Sequence, residues 1–287
     1  MSTLLAVPNV SEGRDADAIR SIGSAFGPTA HLLDIHSDPD HNRSVFTLAG
    51  RPGELAAAVL AGAARALELI EITGHEGIHP RIGALDVAPI VYPTEDQRGA
   101  ACAEALVLAD LLGEQLELPV FLYGSLADGR TRAEIRRGGP TGLAHRLAAG
   151  ELQPDFGPRS LHPTAGAVLV AARPPLVAFN VDLAPPATLE DARVIAALIR
   201  ESGAEGLPGV RAIGLWLEQR GLAQVSTNVE DHRATSLAAV VAAVARHAEP
   251  ESAELVGLAP EAAFDAFPPH VRISNRATIE EALRQTS

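Results

Sequence analysis

Two histidines flank a glutamate in residues 74–86, GHEGIHPRIGALD, where His75, Glu76 and His79 spell H-E-x-x-H. Imidazoles at i and i+4 with an acid between them form the ligand set of a helical zinc site. That chemistry needs a continuous helix, because only a helix puts i and i+4 on one face. Gly74 and Gly77 each cost a helix about 1 kcal/mol relative to Ala. Pro80 pushes the residue before it out of helical backbone. No third ligand follows at short spacing. The residues therefore predict a loop rather than a zinc helix, and no metal is expected. In that loop a histidine either serves chemistry or is a surface or capping residue; the second reading is favoured for His75, while for His79, fixed beside Pro80, the functional reading stands at least level with it.

Composition closes other chemistries. All 23 basic residues are Arg, so no Schiff-base lysine or phosphate-loop lysine is available. Arginine remains suited to bidentate binding of carboxylates. Cys102 is the single cysteine, in an Ala-rich run at helical spacing. It reads as a core thiol and excludes an intrachain disulfide or a thiolate zinc site. A net charge of −13 argues against a nucleic-acid partner. The N-terminal MSTLLAVPNVSEG is broken at Pro8 and lacks the pattern of a signal peptide. No run approaches the length of a membrane span. A soluble protein of a reducing compartment is expected.

The elements that must hold the loop follow from apolar periods that alternate between two and 3.6. Residues 4–10 read as a strand, 15–26 as a helix, 30–36 and 44–50 as two strands joined by a polar turn, 53–70 as a long helix and 84–92 as a strand. This order, β-α-β-β-α-β, is the ferredoxin-like split unit. Thr94 to Gln97 reads as a capping box that opens a helix reaching about residue 116. A strand to Gly124, an Arg-rich helical arm and the loop PDFGPRSLHPTAG come next. Residues 167–183 supply a strand or hairpin, and the order then repeats: a helix over 189–202, strands from 210 and 222, a helix over 235–247, a strand from 252. A short helix from Thr278 closes the chain. The fold class is α/β (α+β), two ferredoxin-like βαββαβ subdomains in tandem, residues 1–173 and 174–287, with a substrate cleft between them.

Five blocks carry a resemblance: VPNVSEG, LLDIHSDPDHNRSVFTLAG, GIHPRIGALDVAP, PDFGP and QVSTN, in that order over almost the whole chain. Together they resemble glutamate formimidoyltransferase, the formiminotransferase part of formiminotransferase-cyclodeaminase, which also occurs as a stand-alone bacterial protein. The resemblance implies transfer of the formimino group of N-formimino-L-glutamate to N5 of tetrahydrofolate, the folate acting as co-substrate. It implies a cytoplasmic enzyme of one-carbon metabolism and histidine degradation. Exposed sheet faces suggest a homodimer. With its last residue at Ser287, the sequence is expected to lack a cyclodeaminase.

Residue by residue, the family's catalytic histidine falls on His79, with Arg81 beside it. Where animal members carry a catalytic aspartate, this chain has His36. A protonated imidazole cannot do a carboxylate's work, and Asp38 or Asp40 could substitute from the turn. The family's folate loop maps to Gly157, Pro158, Arg159, Ser160, Leu161, His162, Pro163, Thr164, Ala165 and Gly166. Both substrates are anionic, so Arg43, Arg81 and Arg159 are candidate carboxylate partners; Asn9 is a further candidate for the substrate. Two other readings stay open: formyl transfer between N-formylglutamate and folate, and a folate-binding protein without catalysis.

Overall fold

The structure is a computed structural model that describes residues 3–286. It divides into two compact units whose boundary falls between Pro174 and Pro175. Among the described residues no helix is long and apolar enough to cross a membrane.

In the first unit the N-terminal apolar run makes two short strands, β1 (Leu4–Ala6) and β2 (Asn9–Val10). The single strand expected over residues 4–10 breaks at Pro8, which has no N–H for the ladder. Helix α1 (Ala16–Ala25) starts where the Asp15 carboxylate accepts from the N–H groups of Asp17 and Ala18. Strands β3 (His31–Asp38) and β4 (Arg43–Gly50) pair antiparallel, followed by α2 (Leu55–Leu69) and β5 (Leu85–Val91). Thr94 and Gln97 make a reciprocal capping box on a 3-10 turn that leads into α3 (Arg98–Gln115). Then come β6 (Val120–Leu122), the short α4 (Arg132–Arg136), α5 (Gly139–Ala148) and β7 (Val168–Arg173).

The sheet runs β3, β4, the β1/β2 pair, β5, β7, β6. Its first four positions have the order of a βαββαβ unit, and β7 and β6 extend it in parallel. Helices α1 to α3 cover one face over Ile22, Phe26, Phe46, Val59, Ile90 and Leu108. The Arg-rich arm, α4 and α5, covers the other over Phe121, Ile135, Leu143 and Leu169. With both faces covered, β7 is apolar without alternation.

The second unit repeats the order with β8 (Val177–Leu183), α6 (Leu189–Ile199), β9 (Val210–Leu217), β10 (Leu222–Val229), α7 (Leu237–Ala245) and β11 (Pro250–Val256). Strand β12 (Ile273–Ser274) and α8 (Ile279–Gln285), capped by Thr278, complete it. The sheet order is β12, β11, β8, β10, β9. Residues 167–183 are therefore not a hairpin: β7 and β8 lie in different sheets, separated by Pro174 and Pro175. Val177, Phe179, Val181 and Leu183 face α6 and α7, while Asn180 and Asp182 alternate to the opposite face. There Asp182 accepts from Gln224 at 2.9 Å, from Ser252 at 2.8 Å and from Arg220.

Candidate active site

Residues 71–83, between α2 and β5, are turns and irregular backbone, so His75 and His79 do not share a helix face. The loop is folded around Arg81. Its guanidinium donates to the carbonyls of Gly77 at 2.8 Å, His79 at 3.2 Å and His75. Three carbonyls that no ladder satisfies thus find donors on one side chain. The His75 ring sits toward Ser11, Glu12 and Arg14, and burial, then Arg81, lowers its pKa.

His79 Nδ1 lies 2.8 Å from the carbonyl oxygen of Pro80. A carbonyl only accepts, so Nδ1 carries the proton and Nε2 of the neutral ring presents a lone pair. Desolvation pushes the pKa of His79 well below its ordinary value, and the nearby Arg43, Arg136 and His41 push it the same way. The ring is therefore neutral at pH 7 and able to accept a proton. The His41 ring lies beside it, centroids 5.9 Å apart and planes tilted by 30°.

The cations are set by Asp86. This carboxylate is 0% exposed and accepts from Arg43 at 2.6 Å, from Arg136, and from the backbone of Ile82 at 2.8 Å. Burial alone would raise its pKa, but the two guanidiniums and the hydrogen bonds outweigh that and hold it below the usual carboxylate range. A β-bulge aims it. Val10 pairs with Leu85 and Asn9 with Val87, a shift of two residues against one. Leu85 packs in the core under α1 to α3, whereas Val87 packs under α5 on the other face. Asp86, the extra residue, is where the strand changes face. Asn9 is occupied in orienting Arg43, whose Nε donates to its Oδ1 at 3.0 Å. Two cations against one buried anion leave an excess positive charge beside His79.

The folate-loop candidates lie across the N-terminal ends of β6, β7 and β5. At one end, Val120 donates to Phe156, and Gly157, at φ +75°, packs so closely that a Cβ there would lie 2.1 Å from the Leu118 carbonyl. At the other end, Ala84 donates to Ala165 at 2.9 Å and Ala167 to Ile82 at 3.0 Å. A Cβ on Gly83 would meet the Ala167 carbonyl at 1.9 Å, and one on Gly166 the Ile82 carbonyl at 2.1 Å. Glycine at both positions is what lets the loop dock against the His79 segment. Within the loop, His162 Nδ1 accepts from Ala165 N at 3.0 Å, which closes a tight turn. Pro158, Arg159, Ser160, Leu161, Pro163 and Thr164 are half-buried or exposed along it.

His36 lies on β3, opposite Val45, largely buried. Burial lowers its pKa; Asp34 and Asp38 oppose that, and His41 adds to it. The aromatic neighbour of His79 is His41 and not His36. Reading the chain by blocks also missed Arg136, which comes from α4, 50 residues from Asp86. No local motif marks it; an Arg on a five-residue helix looks like any surface charge.

Comparison with known proteins agrees with these blocks. Residues 3–173 match the formiminotransferase domain, N-terminal subdomain, and residues 178–284 the formiminotransferase domain. The chain is 40% identical over 237 residues to glutamate formimidoyltransferase of Streptococcus pyogenes serotype M1, covering 80% of this chain and 78% of that protein. It is 35% identical over 277 residues to glutamate formimidoyltransferase of Thermoplasma acidophilum, covering 92% and 90%. It is 39% identical to formimidoyltransferase-cyclodeaminase of Rattus norvegicus over 93% of this chain but 52% of that protein, so it spans about half the length of that relative. With both subdomain models matched in order over nearly its whole length, the chain belongs to the formiminotransferase domain family.

Proposed function

We propose that this protein is a glutamate formimidoyltransferase, moving the formimino group of N-formimino-L-glutamate to N5 of tetrahydrofolate by general acid–base catalysis at His79. The observation that carries the reading is the His79 imidazole. Its Nδ1 is committed to Pro80, its Nε2 lone pair is free of that bond, and its surroundings keep it neutral.

The steps balance through that one nitrogen. N5 of the folate attacks the amidine carbon and its proton passes to His79 Nε2, giving a tetrahedral adduct. The imidazolium then returns the proton to the glutamate nitrogen. The C–N bond to glutamate breaks, leaving free glutamate and 5-formiminotetrahydrofolate. No covalent enzyme intermediate is needed, which suits a chain with one cysteine and no lysine. The excess charge of Arg43 and Arg136 over Asp86 binds a substrate carboxylate. Arg81 acts through the loop, by holding the carbonyls around His79. The loop from Gly157 to Gly166 receives the folate, since its second half is hydrogen-bonded to the segment that carries His79. The reading places the enzyme in one-carbon metabolism.

Incubation with tetrahydrofolate and either N-formimino-L-glutamate or N-formyl-L-glutamate tests it, with glutamate release as the readout. Release from the formimino donor alone is expected. Release from the formyl donor alone moves the assignment to formyl transfer, and release from neither removes it.

A further inference from the structure

Three loops meet at the end of the first sheet: residues 11–15 after β2, the turn between β3 and β4, and the segment around His79. Asn42 stands where they meet. It is 7% exposed and has φ +48°, a left-handed conformation that is uncommon outside glycine. Its side-chain oxygen accepts from Gly13 N at 2.9 Å, and its side-chain nitrogen donates to Glu76 O at 2.7 Å. One amide thus spans the first loop and the third from the second.

The fit around it leaves no slack. A Cβ on Gly77 would lie 2.6 Å from the His41 carbonyl and 2.9 Å from Asn42 Cβ, and one on Gly13 would lie 2.2 Å from the Asp38 carbonyl. Ile78 donates to Asp40 at 3.3 Å. The chain neighbours of Asn42 are His41, whose ring lies tilted beside that of His79, and Arg43, which binds Asp86. A non-glycine residue kept in a costly backbone region, buried and with both amide groups committed, marks a place where geometry is held for a purpose.

We propose that Asn42 is a positioning residue that clamps the His79 segment to the β3–β4 turn and so sets the imidazole relative to His41, Arg43 and Arg136. A donor and an acceptor on one short side chain are both required. Aspartate supplies the acceptor but faces the Glu76 carbonyl with a second oxygen. Glycine relieves the backbone conformation and supplies neither bond. Both substitutions are therefore expected to loosen the loop and let the imidazole shift, while removing no group that touches substrate.

The inference rests on His79 as the proton carrier, and its test separates the two. Asn42→Gly and Asn42→Asp are compared with wild type, with His79→Ala, and with Thr188→Ala, which removes a helix cap in the second unit as a stability control. The Asn42 variants are expected to lose kcat about ten- to a hundredfold, with a smaller change in KM. Thr188→Ala is expected to keep kcat. Independently of turnover, NMR titration of the His79 ring in Asn42→Gly should move upward toward the ordinary histidine value as water reaches it. Turnover retained in His79→Ala overturns the proton-carrier reading. A His79 titration and kcat unchanged in both Asn42 variants overturn the clamp.

Discussion

Asp86 and Arg136 stand 50 residues apart in the chain and share an ion pair at Asp86 Oδ2, the same oxygen that Arg43 approaches at 2.6 Å. One buried carboxylate therefore gathers a cation from a β-strand and another from a short helix on the far face of the sheet. Arg146 holds that helix by donating to the carbonyls of Glu134, Ile135 and Arg137 at its C-terminal end. A guanidinium at a helix C-terminus satisfies carbonyls that have no partner within the helix.

Removing the carboxylate should be costly. Asp86→Ala leaves two guanidiniums facing each other without their counter-ion, and stability should fall by about 3–5 kcal/mol. Urea denaturation measures this; a loss under about 1 kcal/mol would show that the cluster is not the buried ion network described.

Removing one cation should act on binding. Arg136→Met is expected to raise KM for formiminoglutamate about tenfold or more, because the charge in excess over Asp86 is lost. Arg136→Lys should restore little, since an ammonium cannot span Asp86 and a substrate carboxylate as a fork does. An unchanged KM in Arg136→Met would remove Arg136 from the carboxylate subsite.

The pH dependence follows from two shifts of known sign. His79 has a folded pKa well below 6.5, so the base form persists at neutral pH and the acid limb of kcat/KM should lie below 6.5. The folded state also binds fewer protons there than the unfolded chain, so stability should drop as pH falls from 6.5 through the folded value. Asp86 has a folded pKa below 3.8; its contribution is complete above 3.8 and is lost as pH falls through the folded value. His79→Gln should reduce the first decline in stability, leaving the share of His36 and His75, whose pKa values burial also lowers, and should leave the second unchanged. An acid limb above 6.5 would contradict the geometry.

Gly83→Ala tests the docking of the loop proposed to receive the folate. Its Cβ would sit 1.9 Å from the Ala167 carbonyl, so strand β5 and the Gly166 turn must separate. Melting should drop by an amount equivalent to about 1–3 kcal/mol, with folate binding weakened beyond that of the stability control Thr188→Ala. Normal folate affinity in Gly83→Ala would detach the loop from the site.

Arg81→Ala should lower kcat more than it raises KM, because the guanidinium is spent on the carbonyls of His75, Gly77 and His79. A rise in KM with kcat unchanged would instead make Arg81 a carboxylate ligand.

Most of the architecture was legible in the chain because it rests on local patterns. The 3.6-residue period of α1 and α2, the Thr94–Gln97 box and the Thr278 cap each report a hydrogen-bonding or burial requirement met within a few residues. Errors fell where local pattern is silent. Residues 167–183 carry two apolar runs around Pro174 and Pro175, and whether they pair with each other or with other strands is decided by partners far away in the chain. The break at Pro8 was visible as a proline, but its effect depends on β4 and β5 supplying the ladder on either side.

The same division runs through the site. By itself, the sequence determined that H-E-x-x-H cannot be a zinc helix, since Gly77 and Pro80 act on the backbone next to them. It determined that His79 sits in a loop before a strand. Only the tertiary structure decided what His79 can do. The tautomer follows from the Pro80 carbonyl, the low pKa from burial and from Arg43 and Arg136, and the shape of the loop from the Arg81 guanidinium on its carbonyls. These are properties of an environment assembled from β2, β4, β5 and α4. Coulomb interactions and desolvation depend on distance in space, and distance along the chain does not encode it.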